Sequence, residues 1–169
     1  MIAQNIAYLY PDRVKSLILV VTSIKNSHRA NYACKQAIKR VMDGSNPDAL
    51  AEYSAVWSFP EEVLANPGAV DRIKSAMAPV LNPQTVNAFK RQNDALAIFD
   101  SSGGISEITA PTLVIAGDGD IIWPHKYSGQ ELAKVISNSK FVSLPGAHMA
   151  YLLSAEAFQE HVVEFLASL

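Results

Sequence analysis

The sequence predicts an α/β fold, a parallel sheet with helices on both faces. Three runs, "SLILVV" (16–21), "PTLVIAG" (111–117) and "KFVSLP" (140–145), are short and largely apolar, the pattern of strands buried on both faces. Segments with helical spacing lie before, between and after them. The order is helix, strand, long helical stretch, strand, helix, strand, helix, and it builds a parallel sheet through crossovers.

Taken in order, Ile2, Ile6 and Leu9 with Ala3 and Ala7 recur at helical spacing, and Pro11 stops that helix. The first strand follows. Residues 24–108 read as helical and irregular, broken by "DGSNP", "FPEE", "ANPG" and "LNPQ". Asn66-Pro67 and Asn82-Pro83 are turn or helix-start signals, and nothing there alternates with period two. The second strand ends in a Gly/Asp loop. "HKYSGQELAKVI" (125–136) reads as one helix despite Gly129, and the third strand follows it. "SAEAFQEHVVEFLASL" closes as an amphipathic helix, capped by Ser154, with Phe158, Val162, Phe165 and Leu166 on its apolar face. The expected organisation is residues 1–23 and 109–169 as core, with 24–108 as a helical cap and the return from it.

Composition narrows the function classes. With 14 basic and 16 acidic residues the charge nearly cancels, so no basic surface points to nucleic acid. One cysteine, Cys34, excludes an internal disulfide framework and fits a reducing compartment. It lies among Ala33, Ala37 and Ile38, where packing is its expected role. No apolar stretch reaches the roughly 18–20 residues of a membrane span. The opening "MIAQNIAYLYPDRV" has neither a basic start nor a small-residue cleavage site. The expected location is cytoplasmic, with no membrane partner.

Functional groups of open parallel sheets collect on loops at the carboxyl ends of the strands. Two loops qualify. "GDGDIIWP" follows the second strand and carries Asp118 and Asp120; "PGAHM" follows the third and carries His148. A carboxylate and an imidazole on adjacent strand ends can meet. The carboxylate then accepts from Nδ1–H and leaves Nε2 to take a proton, which is the base-and-orienter half of a nucleophilic triad.

Three segments resemble the α/β-hydrolase family. "MIAQNIAYLYPDRVKSLILVVTS" is similar to the segment just after the family's nucleophile elbow. "RQNDALAIFDSSGGISEITAPTLVIAGDGDIIWP" is similar to the segment through its Gly-x-x-Asp loop, which places the acid at Asp120. "FVSLPGAHMAYLLSAEAFQEHVVEFL" resembles the catalytic-histidine loop and last helix. The family order Ser, Asp or Glu, His is obeyed by Asp120 and His148. Within the family, the closest resemblance is to esterases and enol-lactonases. It implies attack on an ester or lactone carbonyl of a small molecule, with neither a metal nor an organic cofactor.

The resemblance also implies what these 169 residues do not contain. No Gly-x-Ser-x-Gly elbow is present; the family would place it immediately before Met1, and "DGSNP", "KYSGQ" and "SSGGIS" do not replace it. In the family's sheet order the chain matches only the last three strands. The expectation is a C-terminal portion with triad acid and base but no nucleophile, inactive alone. The alternative is a non-catalytic remnant that binds or self-assembles. An apolar strand at 16–21 without its neighbour leaves an open edge, and "LILVV" has no proline or inward charge to blunt it. Association through that edge is expected, with an N-terminal half or a second copy.

The remaining candidates read as structural. Asp118 is expected to form the turn, and a calcium loop starting there would put Ile122 where an oxygen ligand is needed. His28, His125 and His161 are expected on the surface, with the lining of a substrate pocket as the alternative for His28. Tyr53, Trp57, Phe59, Phe89 and Phe99 are expected to pack in cap and core. Trp123, beside the acid loop, is the candidate wall of a substrate pocket.

Overall fold

The computed structural model describes residues 1–44, 47–76 and 85–169. Parts of "DGSNP" and all of "LNPQ", with the Asn82-Pro83 signal, lie outside the described residues. The chain begins with α1 (Ile2–Leu9) and β1 (Leu17–Val20). Among the described residues there follow α2 (His28–Met42), α3 (Pro47–Ser58), α4 (Glu61–Leu64), α5 (Ala69–Ala76) and α6 (Val86–Ala97). Then come β2 (Thr112–Gly117), α7 (Gly129–Val135), β3 (Ser139–Leu144), α8 (Ala150–Leu153) and α9 (Ala155–Ala167).

The three strands form one parallel sheet in the order β1-β2-β3. Leu17 pairs with Thr112 and Val20 with Ile115; Thr112 pairs with Ser139 and Gly117 with Leu144. All six residues of β2 are buried, as a central strand requires. Successive side chains alternate between faces, so the sheet feeds two cores. Leu17, Leu19 and Val114 join Ala7 of α1, Ile105, Ile108, and Leu132 and Ile136 at α7. Leu113, Ile115, Val142 and Leu144 join Ala150 of α8 and Phe165 of α9.

The chain divides into two compact units, Met1–Lys25 with Phe99–Leu169, and Asn26–Ile98. Both cores belong wholly to the first. Its two crossings meet locally: Lys25 and Asp100 form an antiparallel bridge, and Ser101 N–H donates to Ile24 O at 2.9 Å. Within the helical unit, α2 packs on α3 and α6, and α3 on α5. Ser27 caps α2 by accepting from Ala30 N–H at 2.9 Å, and Thr85 caps α6 through Ala88 N–H at 3.2 Å. Arg40 lies 4.1 Å over the Tyr53 ring, and Tyr53 donates to Ala33 O at 3.0 Å. Burial pushes the Cys34 thiol above its ordinary range.

Two local expectations, for residues 125–136 and for the last helix, are corrected. The apolar stripe of α1 faces outward: Ile2, Ile6 and Leu9 are 79%, 44% and 59% exposed, while Gln4 and Ala7 are buried. The reason is a polar anchor. Gln4 Oε1 accepts from Ser101 Oγ at 2.8 Å, and its Nε2 donates to Ser23 O at 3.1 Å. The 125–136 helix is two pieces, a 3-10 turn at His125–Tyr127 and then α7, parted at Ser128. Ser128 Oγ lies within 3.0 Å of the carbonyls of Trp123 and Pro124, which turns the chain there. Ser154 makes no capping bond; it donates to Pro145 O at 3.0 Å, and Leu166 points to solvent. Among the described residues no helix is long and apolar enough to cross a membrane.

Candidate active site

The carboxyl ends of β2 and β3 lie side by side, because Gly117 and Leu144 are register partners. Each strand continues into a short loop, and the two loops are joined backbone to backbone. Asp118 N–H donates to Leu144 O at 2.9 Å, and Gly119 N–H to Gly146 O at 2.7 Å. A Cβ on Gly117 would stand 2.1 Å from Ala147 O, so only glycine admits this approach. Gly146 adopts φ +124, a conformation that L side chains rarely take.

On this base His148 Nδ1 lies 2.9 Å from Asp120 Oδ2. The Asp120 side chain is 0% exposed and that of His148 18%. Oδ1 of Asp120 accepts from Ile122 N–H at 2.8 Å and Trp123 N–H at 3.0 Å. The backbone therefore fixes one oxygen and aims the other at the imidazole. An ionised carboxylate only accepts, so Nδ1 carries the hydrogen and Nε2 is the nitrogen left to exchange a proton. Trp123 packs its ring on His148, centroids 5.2 Å apart and tilted 54°. At the carboxyl end of β1, Val21 holds φ 42, an outlier for a β-branched residue, while donating to Ile115 O at 2.9 Å.

No family model matches the chain. Over 168 residues it is 31% identical to a RutD protein of Pseudomonas savastanoi pv. phaseolicola, named for carbamate hydrolysis, covering 98% of this chain and 63% of that one. The α/β-hydrolase enzyme MGS-M2, from a deep-sea metagenome library, superposes with TM-score 0.83 at 19% identity, over 98% of this chain and 61% of that one. The enol-lactonase of Burkholderia xenovorans LB400 does so with TM-score 0.81 at 22% identity, over 98% and 61%. The described chain has the fold of the matching part of the α/β-hydrolases.

The chain thus spans less than two thirds of the length of these relatives. Of the residues singled out from its sequence, Asp120, His148 and Trp123 come together. His28 is exposed, and His125 stacks on Phe141 with centroids 6.4 Å apart. His161 is half-buried rather than on the open surface, with Nδ1 3.7 Å from Glu164 Oε2. Among the described residues no cluster of three His, Cys, Asp or Glu side chains could hold a metal. Sequence reasoning missed the reach of Asp118, whose Oδ1 accepts from Gly146 N–H at 2.9 Å across 28 residues. The "GDGD" and "PG" motifs mark both loops as turns, but neither shows that one loop ties the other.

Proposed function

We propose that this chain supplies the acid–base half of a serine hydrolase that cleaves an ester, a lactone or a carbamate at its carbonyl. One observation carries the reading: His148 Nδ1 meets a buried Asp120 whose other oxygen is already held by two backbone N–H groups. The carbamate option comes from the name of the RutD relative, the lactone option from the enol-lactonase neighbour.

In this mechanism a hydroxyl from residues outside these 169 attacks the carbonyl carbon while His148 Nε2 takes its proton. Asp120 stabilises the imidazolium through Nδ1–H. Collapse of the tetrahedral intermediate breaks the bond to the leaving group, and His148 returns the proton to it. Water then repeats the cycle on the acyl group, with His148 again as base, and releases the acid. Trp123, packed on the imidazole, is the proposed wall of the acyl-binding space. The 169 residues alone are expected to be inactive, because they contain no elbow serine.

The same reading includes a partner. Leu17 and Val21 donate to β2, so the alternation of a parallel ladder turns the N–H and C=O of Ile18 and Val20 to the open side of β1. The outward stripe of α1 lies on the same segment of chain. Either an N-terminal half or a second copy is proposed to seat there.

Two experiments test the catalytic part. A fluorophosphonate probe should label no residue of the 169-residue chain; stoichiometric labelling would overturn the assignment of the nucleophile elsewhere. In a longer polypeptide that carries an elbow serine, His148→Ala should lower ester hydrolysis by about 10³-fold or more. Unchanged turnover in that variant would remove His148 from the mechanism.

A further inference from the structure

We propose that Asp118 is a positioning residue, whose carboxylate clasps the loop carrying His148 to the loop carrying Asp120. The inference deepens the reading of Asp120 and His148 as orienter and base, and rests on it. Two backbone bonds, Asp118 N–H to Leu144 O and Gly119 N–H to Gly146 O, continue the β2–β3 pairing past the strand ends. They hold residues 144 and 146 but leave Gly146 N–H facing back toward the acid loop. Asp118 Oδ1 accepts that group at 2.9 Å and closes the ring of contacts. The bond sits two residues before His148.

The need for a third bond follows from Gly146. At φ +124 it gains nothing from local sterics, and a glycine has wide backbone freedom to lose. Without a fixed amide at 146, the peptide planes at 146 and 147 can rotate and carry the imidazole away from Oδ2. Asp120 cannot compensate, because its Oδ1 is already pinned by Ile122 and Trp123. The clasp therefore acts on the histidine side of the pair. Asp118 itself is exposed and touches neither ring, so its effect runs through the loop alone.

The readout is the tautomer of His148, from long-range ¹H–¹⁵N spectra of the ¹⁵N-labelled 169-residue chain, with the signal assigned by His148→Gln. In the unsubstituted chain, neutral His148 should be the Nδ1–H form, with widely separated nitrogen resonances. Asp118→Ala should make the two resonances converge as tautomers mix. Asp118→Asn keeps an oxygen acceptor without the charge, and should restore the separation. If Asp118→Ala leaves the spectrum unchanged while Asp120→Asn alters it, the clasp is overturned and the pair stands. If Asp120→Asn also changes nothing, the pair itself fails. Should Asp118→Asn behave like Asp118→Ala, charge rather than the hydrogen bond matters, and the clasp is again overturned. One measurement needs no variant: the Gly146 amide should exchange roughly tenfold more slowly than an unstructured glycine, and free exchange would contradict the bond.

Discussion

At position 120, one carboxylate oxygen is held by the amides of Ile122 and Trp123 while the other faces Nδ1 of His148, so the loop sets the rotamer before the histidine arrives. The loop that brings the histidine lies close against Gly117, where an added Cβ would stand 2.1 Å from Ala147 O. Because the obstructing atoms are backbone, Gly117→Ala forces the two loops apart instead of deflecting a side chain. It should cost about 1–3 kcal/mol in urea unfolding and separate His148 from Asp120 in the tautomer spectrum. The positions of Asp120 and His148 were legible because a buried strand followed by a Gly/Asp or Pro-Gly loop marks a carboxyl end. The clasp from Asp118 was not, because its partner is a backbone amide that any residue but proline would offer. His161 shows the opposite failure: neighbouring glutamates in sequence suggested solvent, yet the helix turns the ring half inward.

Strands proved easier to read than helix faces. The expected burial on both faces holds for β2 alone; β1 is buried at alternate residues and β3, an edge strand, exposes Lys140 and Ser143, yet each strand differs from its expected bounds by one residue or less at either end. A helix declares its periodicity but not which side is turned to the core. In α1 the aliphatic stripe of Ile2, Ile6 and Leu9 is exposed, and the buried side carries Gln4 and Ala7. What anchors that side is the Gln4 amide, whose Oε1 lies 2.8 Å from the Ser101 hydroxyl, 97 positions along, and whose Nε2 donates to Ser23 O at 3.1 Å. Gln4→Ala should remove the buried bond from Nε2 to Ser23 O and the contact with the Ser101 hydroxyl, which keeps Ile24 O as its acceptor. A loss of about 1–3 kcal/mol in denaturant titration is expected, with α1 the first helix to lose amide protection. Gly104 reinforces the prediction, since a Cβ there would meet the Tyr8 ring of α1 at 2.5 Å.

At the scale of the whole molecule, apolar residues on α1 and the open side of β1 lie on one stretch of chain. Light scattering should therefore find a mass above that of one 18.3 kDa chain, and Ile2→Lys with Ile6→Lys should return it to monomer without unfolding it. A monomer at high concentration before substitution would count against this. Residues 26–98 are the least legible part: their helical character shows in composition, but the pairing of α2 with α6 depends on side chains far apart in sequence. Yet the bridge between Lys25 and Asp100 gives that region a property no periodicity announces. Departure and return share one doorway, so the polypeptide makes a 73-residue excursion (Asn26 to Ile98) and comes home beside its exit. Splicing Lys25 to Phe99 with a short glycine tether should yield a miniature that keeps both cores, and its His148 spectrum should match that of the parent.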